Sequence, residues 1–212
     1  MSHLDQKQSW GQRLGWLTGE LLVIFAGVSA AFIVENYRDN RNQIAEMHRA
    51  VAGIISELAT TGTKARKYSD AIFGEIARWE DADSAGKRAV PGYYRIPGAP
   101  HPPAAAWNSA VASGIARMLE PGLRRDLGYF YSEFVGIHDN YDRYNRYNQF
   151  TEREVLPRSL SGPDAFYGPD GRLLPVFRVH MDLQKEFAGD LRSLSGMAQD
   201  LRVRLEAIQS SK

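Results

Sequence analysis

The stretch that decides the organisation of this chain runs from Leu14 to Val34 and reads LGWLTGELLVIFAGVSAAFIV. It contains one ionisable side chain, Glu20. A helix of this length, rising ~1.5 Å per residue, is about 31 Å long and matches the ~30 Å hydrocarbon core of a bilayer. Trp16 and Tyr37 lie near its two ends, and such amphipathic rings prefer the headgroup level of a membrane. We therefore predict a membrane-spanning helix over residues 14–34.

The alternative to an anchor is a cleaved signal peptide. Lys7 and Arg13 precede the apolar run, and Val28-Ser29-Ala30 has the small residues of a cleavage site. We favour the anchor, because Glu20 directly precedes the densest apolar run and because apolar residues continue to Val34, beyond that site. Basic residues occur on both sides of the span, so charge alone does not decide its orientation.

Length and composition limit the classes of function that the rest of the chain can serve. The chain has 212 residues, so about 175 remain after the anchor, enough for one domain with its own core. A net charge of +1 provides no strong field for a polyanion, and we predict no nucleic-acid partner. Because the chain has no cysteine, it forms neither disulfides nor thiolate metal sites.

After the span, apolar residues recur at steps of three and four, which is typical of a helix with one buried face. No proline occurs before Pro91, so we predict one long helix to about Asp83, with a bend at residues 60–63 as an alternative. Five prolines then make residues 90–103 a linker. The predicted buried positions are Met47, Val51, Ile54, Leu58, Thr61, Ala65, Tyr68, Ile72, Glu75 and Trp79.

Three further helices are predicted. Residues 104–119 form a short one with a possible break at Gly114, and the next extends from Pro121 to about Leu156. A second linker, residues 157–175, precedes a last helix that ends near residue 210. The predicted stripes are Leu123, Leu127, Phe130, Phe134, Ile137, Tyr141, Tyr144 and Asn148, and then Leu183, Phe187, Leu191, Leu194, Ala198, Leu201, Leu205 and Ile208.

These stripes predict an all-α chain. In it, one N-terminal transmembrane helix continues into a long helix that packs in an antiparallel helical bundle, because each helix must bury its apolar stripe on a neighbour. A parallel coiled-coil dimer through the long first helix is the alternative. The predicted organisation is a cytoplasmic tail (1–13), the span (14–34) and an extracytoplasmic bundle (35–212).

Small residues spaced four apart within the span are predicted contact points. Such residues let another helix approach closely, although they are also common in membrane helices in general. Glu20 can reach the interface or a donor on a partner. The predicted anchor and packing residues are Trp16, Glu20, Gly27, Ala30, Ala31 and Tyr37.

The sequence carries no motif for catalysis or for a cofactor. Its five histidines form no H-E-x-x-H or Glu-x-x-His pair, and nucleophile-elbow, P-loop and dinucleotide fingerprints do not occur. His138 and Asp142, four residues apart, are interpreted as a solvated or hydrogen-bonded pair and not as a metal site. We predict that the chain is not an enzyme and that it has no catalytic residue, metal or cofactor.

Tyrosine and arginine are concentrated in residues 141–147, YDRYNRY. Tyr141 and Tyr144 extend the apolar stripe, which favours ordinary packing. Aromatic and arginine side chains are also typical of contact surfaces, so a surface for a partner or ligand is the alternative. Its candidate residues are Trp107, His138, Asp142, Tyr144, Arg146 and Tyr147.

Two segments carry a pattern of their own. The first is Gly19-Glu20-Leu21-Leu22-Val23-Ile24, followed by Gly27, Ala30-Ala31 and Glu35-Asn36-Tyr37-Arg38. The second is Trp107-Asn108-Ser109, followed by Ser113-Gly114, Leu119, Leu123-Arg124, Leu127 and Tyr129 to Tyr131. Together they resemble an uncharacterised bacterial family of single-pass membrane proteins, in which a tryptophan stands where this chain has Tyr37. The resemblance implies a short cytoplasmic N-terminus and an extracytoplasmic helical domain, and it implies no activity.

The function predicted from the sequence is that of a membrane-anchored helical interaction or scaffold protein. It would sit in the bacterial inner membrane as an accessory subunit of a larger respiratory, photosynthetic or transport complex. Its predicted partners are the lipid bilayer and other membrane subunits, or a second copy of itself. The alternative is an extracytoplasmic sensor or small-ligand-binding domain with a pocket near Trp107, Tyr141 and His138.

Overall fold

The computed structural model describes residues 5–95, 104–154 and 162–210. Apart from one antiparallel bridge between Tyr167 and Leu173, these residues contain no β-structure. The predicted all-α class is confirmed. The α-helices are α1 (Asp5–Ser84), α2 (Ala105–Ala112), α3 (Pro121–Glu154) and α4 (Pro175–Ser210), with short 3-10 helices at Gly92–Arg95, Ile115–Met118 and Pro163–Phe166.

The chain divides into two compact units, residues 1–48 and residues 49–212. The first unit contains the N-terminal part of α1, and nearly all of its described side chains, from Glu20 onward, are exposed. The second unit contains the rest of α1 together with α2, α3 and α4, and it has a hydrophobic core.

Ion pairs between α1 and α4 show that these helices run antiparallel. Asp70 of α1 pairs with Arg192 of α4 at 3.1 Å. Further along α1, Glu80 pairs at 2.7 Å with Lys185, which precedes Arg192 on α4. The residue numbers therefore rise on one helix as they fall on the other.

Contacts between α3 and α4 show that these two helices are antiparallel as well. Asp126 near the start of α3 pairs with Arg204 near the end of α4 at 2.8 Å. Further along α3, the Tyr141 ring lies 4.9 Å from the Phe187 ring, centroid to centroid. Helices α1 and α3 are both antiparallel to α4 and hence parallel to each other, which the long connection over residues 85–120 allows. The predicted antiparallel bundle is confirmed.

The core follows the predicted stripes of α1 and α3 closely. The predicted stripe of α1 includes two polar residues, and their burial differs: Thr61 is buried, whereas Glu75 is partly exposed. Gly114, with φ of 80°, ends the short helix α2 where a break was expected, so residues 115–118 form a separate turn. The buried apolar positions shared with the prediction are Val51, Ile54, Leu58, Ala65, Ile72, Trp79, Leu123, Leu127, Phe130, Ile137, Tyr141 and Tyr144.

The predicted stripe of α4 is wrong in its first half. Leu183 is 38% exposed, and Phe187 is half-buried. The side chains that face the core there are Phe177, His180, Gln184 and Ala188. The hydrophobic pattern did not identify this face, because two of its four side chains are polar. From Leu191 onward the prediction is correct, with Leu191, Leu194, Ala198, Leu201 and Leu205 buried.

The start of α4 is fixed by the connection that precedes it. The Tyr93 hydroxyl donates a 3.0 Å hydrogen bond to the carbonyl oxygen of Phe177, and the Tyr93 ring packs edge-on against Trp79 at 6.1 Å. Burial raises the pKa of Tyr93. Because Phe177 is held in this way, the next helical turn places His180 in the core.

Helix α4 packs closely against α1 at Gly62, and this explains the glycine better than a bend, since α1 continues through it. A Cβ built on Gly62 would lie 3.1 Å from the Cβ of Ala198. Gly74 of the same helix has open space around the equivalent position. The two glycines therefore differ in packing but not in secondary structure.

Valine at Gly62 is expected to lower the free energy of unfolding by about 1–3 kcal/mol relative to valine at Gly74. Both substitutions change helix propensity equally, so their difference isolates the clash with Ala198. Urea titration of the full chain in mild detergent measures it. Equal stability of the two variants would show that α4 does not pack on Gly62.

Candidate functional site

A cleft of about 310 Å³ opens between α3 and α4. The cleft lies here because the apolar side chains in the first half of α4 that do not face the core lie beside α3. We call it the tyrosine–carboxylate cleft. Its lining residues are Asn140, Tyr141, Arg143, Tyr144 and Tyr147 on α3, and Leu183, Glu186, Phe187 and Asp190 on α4.

Aromatic rings form the inner wall of the cleft. The Tyr141 ring lies 6.1 Å from the Tyr144 ring and 4.9 Å from the Phe187 ring, all centroid to centroid. Tyr141 is only 4% exposed, and burial raises its pKa. The wall is therefore aromatic and fixed by packing, and the raised pKa keeps the Tyr141 phenol neutral.

Two carboxylates, Glu186 and Asp190, line the α4 side. They are four residues apart, which places side chains on the same helix face ~5–6 Å apart at Cβ. Burial raises the pKa of Asp190, and the negative charges of Glu186 and Glu133 raise it further. Glu133 belongs to α3, so carboxylates from both helices raise the pKa of Asp190.

A buried histidine, His180, packs directly against the tyrosines of the cleft. Its ring lies 5.4 Å from Tyr144 and 4.8 Å from Tyr147. The Thr151 hydroxyl donates its proton to the Tyr147 carbonyl at 3.1 Å, so it accepts from His180 Nε2–H at 3.0 Å. His180 is 0% exposed, and burial lowers its pKa to about 4. The imidazole is therefore neutral near pH 7.

A second cluster lies at the other end of α3 and is centred on the carboxylate of Glu57. Glu57 accepts hydrogen bonds from the backbone N–H groups of Ala106 (2.7 Å) and Trp107 (3.4 Å) and from the Tyr131 hydroxyl (2.9 Å). Trp107 and Tyr131 stack with a 5.5 Å centroid distance and parallel planes. Burial and the charge of Glu57 raise the pKa of Tyr131. This carboxylate joins α1, α2 and α3.

The surface residues proposed from the sequence do not form one site. Trp107 is 8% exposed and belongs to the Glu57 cluster, whereas Tyr141 lines the cleft, so the expected pocket near Trp107, Tyr141 and His138 is not assembled. Tyr144 and Tyr147 line the cleft, and Arg146 is exposed outside it.

His138 and Asp142 do lie close to each other. His138 Nε2 is 3.8 Å from Asp142 Oδ2 on the same face of α3. In the described parts of the chain, no group of three or more His, Asp or Glu side chains is arranged to hold a metal ion. The pair is therefore a local contact along one helix.

The predicted anchor residues lie in the exposed part of α1. Glu20, Ala30 and Ala31 are exposed, and a Cβ at Gly27 would meet no neighbour within 4 Å. Tyr37 is 66% exposed, with the Arg41 guanidinium 5.9 Å from its ring centroid. Trp16 lies in α1, and its side chain falls outside the described residues. By length and composition, this part of α1 can cross a membrane.

Sequence reasoning did not identify four residues of these clusters: Glu57, His180, Glu186 and Asp190. Glu57 had a usable indication, because it adjoins Leu58 and lies three residues after Ile54, so a charge falls on an apolar face. His180 had no such indication in the sequence, because the predicted apolar stripe of α4 began only after it. Glu186 and Asp190 become meaningful only once α3 is seen to supply the opposite wall.

Comparison of the chain with family models, with curated proteins and with solved structures finds no match.

Proposed function

We propose that this chain is a membrane-anchored helical interaction protein of the bacterial inner membrane. In this proposal residues 14–34 cross the bilayer, the N-terminus is cytoplasmic and the helical bundle is periplasmic. The bundle serves as an accessory or scaffold subunit of a larger membrane complex, and the chain is not an enzyme. The resemblance to an uncharacterised single-pass family, still a prediction, agrees with this topology.

The observation that supports the proposal most strongly is a continuous exposed apolar surface on α1. Leaving one large apolar side chain in water instead of burying it costs about 1.5–3 kcal/mol. A bilayer removes that cost over the whole segment. The exposed apolar side chains of the segment are Leu21, Leu22, Val23, Ile24, Phe25, Val28, Phe32, Ile33 and Val34.

A role in interaction is supported by the small residues of the span. Gly27 and Ala31 lie on one face, and Gly27 has open space where a side chain would be, so a partner helix can approach there. Gentle detergent extraction followed by native mass measurement tests this role. A complex is expected for the natural chain, and leucine at Gly27 should dissociate it. A lone monomer would contradict the proposal.

Membrane insertion is tested by lysine substitution. Lysine at both Leu22 and Ile24 should move the protein from the carbonate-resistant membrane fraction to the soluble fraction, because each charge at the span costs about 2.5–3.5 kcal/mol. Lysine at Val179 and Val203, two exposed valines of α4, is the matched control and should leave the natural chain's partitioning unchanged.

The mass of the natural chain separates an anchor from a signal peptide. An intact N-terminus in the membrane fraction is expected, and protease added to spheroplasts should digest the bundle. Loss of residues up to about position 30, with the remainder in the soluble fraction, would identify a cleaved signal peptide and overturn the anchor.

A further inference from the structure

We propose that the tyrosine–carboxylate cleft binds a small organic cation whose amine or quaternary ammonium groups contact Glu186, Asp190 and the tyrosine rings. All residues of the cleft belong to the unit formed by residues 49–212. The proposal therefore does not depend on the membrane anchor.

The size and lining of the cleft suit a small molecule. Its volume, about 310 Å³, is at the lower end of the ~300–1,000 Å³ of small-molecule sites. Such sites combine apolar and aromatic walls with a few polar groups, and here Tyr141, Tyr144 and Phe187 form the wall while Glu186 and Asp190 supply the polar groups.

Around the cleft, the charged side chains of α4 are divided between two sides of the helix. The cations Lys185 and Arg192 are directed towards α1, where they pair with Glu80 and Asp70. At this level of α4, the side that meets α3 carries Glu186 and Asp190, whereas the cation Arg204 contacts α3 further along, at Asp126. Among the residues that the structure describes, the observed ion pairs include none with Glu133, Glu186 or Asp190.

These carboxylates repel one another, which a bound cation would relieve. Like charges four residues apart on a helix are mutually destabilising. The raised pKa of Asp190, caused by burial and then by Glu186 and Glu133, agrees with this geometry. A positive charge in the cleft would be attracted by all three groups.

The aromatic wall adds selectivity for an organic ammonium ion. A cation within ~6 Å of a tyrosine face is attracted by the ring, and the attraction increases when water is excluded. A metal ion is less suitable, because in the described residues no three carboxylate or imidazole side chains converge on one point. Carboxylates that are too dispersed for one metal ion can still contact different parts of a larger cation.

Arg143, the one cation among the described residues that line the cleft, is engaged on its own helix. Its guanidinium donates to the side-chain oxygen of Asn140, one turn earlier on α3. The lining therefore carries one positive and two negative side chains, with Glu133 adding a further negative charge nearby.

Calorimetric titration of the full chain in mild non-ionic detergent tests the proposal. The probes are putrescine, a dication, and tetramethylammonium, a quaternary ion, at an ionic strength of about 0.15 M. At least one is expected to bind, and the double variant Glu186→Gln, Asp190→Asn should weaken binding at least about tenfold. Glutamate, as an anion, should not bind.

Asp200→Asn is the matched control, since Asp200 is an exposed carboxylate of α4 outside the cleft. It should bind the probe like the natural chain. The double variant should melt no lower than the natural chain, which separates lost binding from lost folding. Absence of binding by both probes at about 10 mM, or equal binding by the double variant and the natural chain, would overturn the proposal.

Discussion

Leucine in place of Glu57 is expected to lower the free energy of unfolding by about 3–5 kcal/mol. The substitution removes the acceptor of three hydrogen bonds, those from the N–H groups of Ala106 and Trp107 and from the Tyr131 hydroxyl. A buried donor left without an acceptor costs about 1–3 kcal/mol. Urea titration of the full chain in detergent measures the change.

The loss should be concentrated on α2. That helix has eight residues and no side-chain cap of its own at Ala104, so the Glu57 carboxylate satisfies the N–H groups at its start. Hydrogen exchange at the amides of Ala106 and Trp107 is expected to accelerate more than exchange in the middle of α3. This local effect distinguishes loss of the cap from a general weakening of the core.

Leucine in place of Glu206 is the control. Glu206 is an exposed carboxylate of α4 that pairs with Arg202 at 3.2 Å. Such surface pairs contribute about 0–1 kcal/mol, so the control should change stability little. If the Glu57 variant lost less than about 1 kcal/mol, the carboxylate would not be the group that joins the three helices.

The accuracy of the sequence predictions follows the chemistry of each helix face. On α1, the apolar residues of the buried face recur often enough that the three-and-four spacing identified Ile54, Leu58 and Ile72 correctly, although Glu57, Thr61 and Ser69 are buried as well. On the first half of α4, the buried face carries His180 and Gln184. The three-and-four spacing therefore assigned Leu183 and Phe187 to the buried face, although their side chains line the cleft.

The candidate site was predictable only in part, for a related reason. Tyr144 and Tyr147 were among the predicted surface residues, and both line the cleft. Their carboxylate partners lie on a helix more than thirty residues later, and no local pattern connects the two segments. Trp107 was predicted to belong with them, but Tyr131 and Glu57 are its contacts.

Stability is expected to fall on acidification because of His180. Its pKa is 6.5 in the unfolded chain and about 4 when buried, so between these values the unfolded state binds more protons. The stability that the neutral His180 contributes is fully present above about pH 6.5 and is lost as the pH falls towards 4. From pH 7 to pH 5 this group alone should cost about 2 kcal/mol.

Glutamine in place of His180 should remove this part of the pH dependence, because its amide does not titrate and can still donate to Thr151. Urea titrations at pH 7, 6 and 5 provide the measurement. In this interval the natural chain should lose stability more steeply than the variant. Equal slopes would mean that the imidazole is not held neutral by burial.

Valine in place of Thr151 separates the hydrogen bond from the titration. It removes the acceptor of His180 Nε2–H and should lower stability at pH 7 by about 1–3 kcal/mol. The steep loss between pH 7 and 5 should remain, because burial, and not this bond, lowers the pKa of His180. Protonation places a charge among Tyr144, Tyr147 and Phe177, so acidification should weaken the packing that shapes the cleft.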